Sequence, residues 1–147
     1  MSRIQLKPLD RYDHRIALEV RVTDLNYGGH LGNDRLLALV HEARVGFLAH
    51  RGWSELDCGG VSLIMGDAAL VFKGEAFAGD RLEIETGVAE TARAGFRLAH
   101  RIARPSDGAL VALAETGLAA FDYDERRVVP LPVDVRSTLE EIRDDAR

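Results

Sequence analysis

One stretch of this sequence, from Asn33 to about Arg51, has the spacing of a long helix, and the segments on either side of it alternate instead. Leu36, Val40, Ala43 and Phe47 fall on one stripe at helical period, and Leu37 and Leu48 widen it. Asn33 is placed to cap this helix, Asp34 suits its positive start, and Gly52 suits its end. So much apolar surface on a single helix has to be enclosed, and strands are what the rest of the chain offers.

Before the helix, Ile16, Leu18, Val20 and Val22 face one way while Arg15, Ala17, Glu19 and Arg21 face the other, the period of a half-buried strand. After it, Val61 to Phe77 reads as one bent strand, with Gly66 or Gly74 at the bend. "RLEIETGVAE" puts Leu82, Ile84, Thr86 and Val88 on a shared face, and "GFRLAHRIAR" does the same for Phe96, Leu98, His100 and Ile102. "PSDG" carries hairpin turn chemistry and leads into the long apolar strand "ALVALAETGLAAFDY". Pro130 and Pro132 precede a short charged helix near Ser137 to Asp145, within a tail spanning 133–147. This order predicts an α+β domain in which about five antiparallel strands, meandering after the helix, wrap one central helix. Such a sheet has two open edges. Pairing with an identical subunit protects them, so a homodimer or a dimer of dimers is expected.

Composition narrows the function. At 147 residues, 46% apolar and 29% charged, the chain is the size of one globular domain, without repeats or linkers. Its net charge of −5 and lack of any Lys/Arg-rich run disfavour a nucleic-acid partner. Cys58 is the only cysteine, so no internal disulfide can form and a reducing compartment is expected. The start "MSRIQLKPLDRYDHR" has no apolar signal core, and no window approaches the ~20 apolar residues of a membrane span. The expectation is a cytoplasmic protein with no membrane partner. His14, His30, His41, His50 and His100 form no recognised ligand pair, and neither a glycine-rich nucleotide loop nor a Gly-x-Ser-x-Gly elbow is present. Metal, redox cofactor and serine nucleophile are therefore not expected.

The chemistry concentrates just ahead of the helix. "DLNYGGHLGN" (Asp24 to Asn33) packs an aspartate, two asparagines, a histidine and three glycines into a few residues. Gly28, Gly29 and Gly32 let backbone approach a ligand closely, and the first amides of the helix lack intrahelical acceptors at its positive end. Such amides suit an oxyanion, and Asp24 or Glu42 could supply a carboxylate beside it. Glu42 has apolar neighbours one turn away, Ala38 and Val45, which puts it on a partly buried face. Each residue also has a plain structural role open to it: Asp24 and Asn26 in a turn, His30 in packing, Asn33 as the cap, Glu42 in an ion pair. His41 and Arg44 read as surface or subunit-contact residues, and His100 as a core histidine with its hydrogen bonds met.

The loop "DLNYGGHLGN", the helical "EAR" (Glu42 to Arg44) and the turn "AGDRLEIE" (Ala78 to Glu85) together resemble the hot-dog fold thioesterases, specifically the 4-hydroxybenzoyl-CoA thioesterase-like branch. The resemblance spans about Ile16 to Tyr123. It implies an acyl-CoA thioesterase that releases a carboxylic acid and free CoA from a CoA or acyl-carrier-protein thioester, with no cofactor beyond the CoA of the substrate. It implies catalytic roles among Asp24, Asn26, His30 and Glu42, and substrate contacts from Tyr27, Gly28, Gly29, Leu31, Asn33 and Leu37. Many members carry a second aspartate where this chain has Asn26, which can neither attack a carbonyl nor act as a base. A non-catalytic acyl-CoA-binding module is the alternative that Asn26 favours. A hydratase is disfavoured, because the Asp-x-Asn-Pro-x-His type of loop is missing. Arg101 or Arg104 could meet the phosphates of CoA.

Overall fold

The structure is a computed structural model that describes residues 1–146. Its elements, in chain order, are β1 (His14–Glu19), a 3-10 turn (Val22–Asp24), α1 (Asn33–His50), β2 (Ser62–Phe72), β3 (Arg81–Thr91), β4 (Gly95–Arg104), β5 (Ala109–Asp122), β6 (Arg127–Val128) and α2 (Val133–Asp145). The sheet runs β1-β3-β4-β5-β2 with all neighbours antiparallel, and the two residues of β6 pair with the end of β5.

The inward face of the sheet is the one the alternation predicts. Leu82, Ile84, Thr86 and Val88 of β3 are buried, as are Phe96, Leu98, His100 and Ile102 of β4. They meet Leu36, Leu39, Val40, Ala43, Phe47 and Leu48 of α1, all buried as well. Burying a side chain of this kind contributes roughly 1.5–3 kcal/mol, so the contact between helix and sheet is a main source of the domain's stability. This is the hot-dog arrangement that the resemblance implied.

Several boundaries differ from the expectation. β1 stops at Glu19: Val20 turns in, exchanging backbone hydrogen bonds with Gly79 and Asp80, and Val22 lies 76% exposed in the 3-10 turn. Asn33 is the first helical residue of α1, not its cap. Gly32 holds the cap position without a side-chain bond. At the other end Gly52 takes the left-handed φ of +76° and its N–H reaches the Ala49 carbonyl, a termination that only glycine adopts without strain. β2 is shorter than the apolar run: Gly66 forms a bulge between Met65 and Asp67, and pairing ends at Phe72. α2 begins earlier, at Val133, directly after Pro132. The strands are not a simple meander either, because β2 lies at the far edge, beside β5. An 18-residue helix is about 27 Å long, enough to carry the chain across a sheet and deliver β2 to its other side.

The core divides along α1. Its N-terminal half packs with Val20, Leu31, Leu82, Ile84 and Ile102. Its C-terminal half packs with Leu98, Leu118, Leu131 and the Val135, Leu139 and Ile142 face of α2. Among the described residues no helix is long and apolar enough to cross a membrane.

Candidate active site

The glycine-rich loop folds back on itself before entering α1. Leu25 and Leu31 pair across it, and Asn26 N–H donates to the His30 carbonyl at 2.9 Å. The Asn26 side chain accepts from Gly28 N–H at 2.9 Å, the Asn26 carbonyl accepts from Gly29 N–H, and Gly29 has a φ of +76°. Gly28 matters for a different reason: a Cβ there would stand 3.1 Å from His30 Nε2, so its absence leaves room for the imidazole. His30 is half-buried, its Nδ1 3.3 Å from the Leu31 carbonyl.

One hydrogen bond fastens this loop to the connection after β2, and another closes it on itself. Leu31 N–H donates to the Ala76 carbonyl at 2.8 Å, and Gly32 N–H to the Asp24 carbonyl at 3.0 Å. Leu36 N–H makes the first bond of α1, to Gly32, while Asp34 N–H is taken by the Asn33 side chain at 2.8 Å. The N–H groups of Asn33 and Arg35 have no acceptor among the described residues.

Asn33 lines a cleft of about 380 Å³, together with Asn26, Tyr27, His30 and Leu31 from the loop and Phe72, Gly74, Glu75, Ala76 and Val111 from the sheet. Five of the residues singled out in the sequence thus meet in one place. Five do not line it. Gly28 and Gly29 shape the loop from behind, and Leu37, half-buried on α1, lies outside. Asp24 is buried, and its carboxylate accepts from Arg21 N–H at 2.9 Å and from the Arg21 guanidinium at 3.4 Å. Burial pushes the Asp24 carboxyl up. The Arg21 amide, then its guanidinium, then Arg35 outweigh that, and the group stays ionised below its ordinary 3.8. Glu42 is exposed, as are Ala38 and Val45 beside it, so the partly buried face expected there is open within one chain.

Arg44, expected at the surface or at a subunit contact, is buried within the chain instead. Its Nε donates to Glu55 Oε1 at 2.8 Å, and exposed His41 approaches the same oxygen at 3.1 Å. The position faces the sheet, and Glu55 neutralises the cation that would otherwise be stranded there. His100 sits in the core between the hydroxyls of Thr86 (3.0 Å) and Thr116 (3.1 Å). Burial, with the charge of Arg44 adding to it, lowers its pKa to about 3, so it is neutral. Cys58 is buried, and burial followed by Asp57 raises the thiol to about 12, which removes a thiolate from consideration. The two arginines expected near phosphates are engaged: Arg101 with Glu85 at 3.3 Å, and Arg104 with Asp80 and Asp107 at 3.0 Å each.

The sheet side of the cleft was not anticipated. Phe72, Gly74, Glu75, Ala76 and Val111 come from the end of β2, its connection to β3, and the start of β5. The polar interruption "KGE" inside the run Val61–Phe77 was the available signal, since it marks the place where a strand ends and backbone turns toward the loop.

Comparison with known proteins agrees with this architecture. A 1,4-dihydroxy-2-naphthoyl-CoA thioesterase from Synechocystis superposes with a TM-score of 0.77 at 22% identity, over 87% of this chain and 96% of that one. A Staphylococcus aureus protein solved in complex with CoA gives 0.78 at 15% identity, over 99% and 90%. A gentisyl-coenzyme A thioesterase gives 0.74 at 20%, over 86% and 99%. These likenesses establish the fold. No curated protein sequence matches the chain. The model of the thioesterase-like superfamily matches residues 20–139, from just after β1 into α2, and the chain belongs to that family.

Proposed function

We propose that this protein is an acyl-CoA thioesterase that hydrolyses a thioester to a carboxylic acid and free CoA. The observation that carries this reading is the meeting, in one cleft, of Asn33, the first residue of α1 with its N–H unpaired among the described residues, and the half-buried His30, in a chain of the thioesterase-like superfamily. A thioester carbonyl laid against Asn33 N–H and Arg35 N–H would have donors at the positive end of α1 as its oxygen becomes negative. One such donor is typically worth about 3 kcal/mol of barrier. Tyr27 and Phe72 flank the cleft with aromatic surface, and Leu31, Ala76 and Val111 add an aliphatic lining suited to an acyl group. Asn26 and His30 orient the bound thioester, and Asp24 acts through Arg21 and the loop backbone rather than on the substrate.

The working unit in this reading is at least a homodimer. Among the described residues, β2 has no strand on its outer side along Ser62–Phe72, and the α1 face bearing Ala38, His41, Glu42 and Val45 is exposed. A second copy would cover both and would bring a second set of side chains toward the cleft. Sedimentation of the purified chain tests this, and a monomer at micromolar concentration would reject it.

A binding module without turnover is the second reading. It is favoured by the absence of a free aspartate in the loop, since Asp24 is tied to Arg21 and Asn26 to Gly28. Release of free thiol from a panel of aliphatic and aromatic acyl-CoAs separates the two. Turnover on any member supports the thioesterase. Saturable binding of the panel with no thiol released supports the module.

A further inference from the structure

Every carboxylate that the loop and helix motifs offer lies away from the cleft, yet the cleft has one of its own. We propose that Glu75 is the carboxylate that activates the hydrolytic water. The inference rests on the thioesterase reading above and adds to it the group that takes the proton.

Among the described residues, Glu75 is the only Asp or Glu that lines the cleft. Its side chain makes no ion pair or hydrogen bond to any described residue, although carboxylates nearby in the sequence do: Asp80 holds Arg104, and Glu83 and Glu85 hold Arg15 and Arg101. Its backbone, in contrast, is held on both sides. The Glu75 carbonyl accepts from Arg104 Nη1 at 3.0 Å, and the carbonyl of Ala76 accepts from Leu31 N–H at 2.8 Å. Leu31 directly follows His30, so this bond holds the Glu75 and His30 segments side by side, and both residues line the cleft. Gly74 N–H, on the other side, donates to the Val111 carbonyl at 3.1 Å. An anchored backbone with an unpaired carboxylate at the wall of a cleft is an arrangement a general base can use.

In the step proposed, the Glu75 carboxylate takes a proton from water while the water oxygen bonds to the thioester carbonyl carbon. The carbonyl electron pair moves onto oxygen, facing Asn33 N–H and Arg35 N–H. When the carbonyl re-forms, the C–S bond breaks and the departing sulfur takes the proton back from Glu75. One water and one thioester become one carboxylic acid and one thiol, with the carboxylate restored.

The test uses the full chain and the same acyl-CoA panel, with wild type, Glu75→Gln, Glu75→Ala and Glu42→Gln compared on the best substrate. Glu75→Gln is expected to lower kcat by about 100-fold or more while KM stays within about threefold, as for loss of a general base. Formate is expected to restore part of the rate to Glu75→Ala, which a purely structural role would not allow. Because Glu75 is exposed, the variants should unfold at the wild-type temperature. Retention of wild-type kcat by Glu75→Gln overturns the proposal and leaves the thioesterase reading standing, as does a loss on Glu42→Gln with none on Glu75→Gln. A wild type that releases no thiol from any substrate overturns both.

Discussion

At its C-terminal end, α1 runs into a closed assembly: Phe47 and Leu48 are fully buried against Leu98, Leu118 and the Leu139 face of α2. There the Gly52 turn takes up helix carbonyls, and Arg51 reaches Asp13 at 2.5 Å. At its N-terminal end the same helix opens onto a cleft, with Asn33, Asp34 and Arg35 exposed and the Asn33 and Arg35 amides without partners among the described residues. A helix end left without a cap forgoes stabilisation that an Asn or Ser side chain at the cap position would supply, typically ~1 kcal/mol. The contrast shows where stability and where chemistry reside on one element: the closed end holds the fold, and the open end leaves donors for something other than protein.

The largest effect is expected at the closed end. Phe47→Ala should lower unfolding free energy by about 3–5 kcal/mol, the usual cost of emptying a buried aromatic site, as measured by urea denaturation. Thiol release per folded molecule should be little changed. A variant that kept its stability and lost turnover would break the division between the ends.

An intermediate effect is expected at the open end, where Asp24 holds the loop. Asp24→Ala should cost about 1.5–3 kcal/mol, the range for hydrogen bonds to a charged group. Because the folded pKa of Asp24 lies below the ordinary 3.8, its contribution is complete above that pH and fades as pH falls through the folded value. The wild type should therefore approach the variant in stability under strong acid. A gap between them that stays constant from neutral pH down to about 2 would show that the Arg21 contacts do not hold the loop.

The smallest effect belongs to the helix stop. Gly52→Ala places a side chain at a φ of +76° and should cost about 1 kcal/mol. It should leave turnover unchanged, which thermal unfolding and the thiol assay check together. A loss of turnover here would mean that the two ends communicate along α1.

Much of this was legible in the chain. Period-two alternation identified the inward faces of β3 and β4 residue by residue, since a strand with one buried face must alternate. The helical stripe from Leu36 to Phe47 and the Gly52 stop were equally plain. The loop residues Asn26, Tyr27, His30, Leu31 and Asn33 were found because glycines and polar groups crowded before an apolar helix need a reason. Glu42 was read on a partly buried face, whereas its apolar neighbours Ala38 and Val45 are exposed within one chain. Arg44 misled in the opposite sense, because a buried arginine is disclosed only by a partner distant in sequence, here Glu55.

Residue order by itself determined the alternation, the single long helix, the glycine loop ahead of it and therefore the family. Each of these depends on neighbours within a few positions. Only tertiary structure decided that β2 lies beyond β5 and that Glu75 lines the same cleft as His30. Those placements arise from hydrogen bonds and packing between segments tens of residues apart, such as Leu31 with Ala76. Local periodicity carries no record of such pairings.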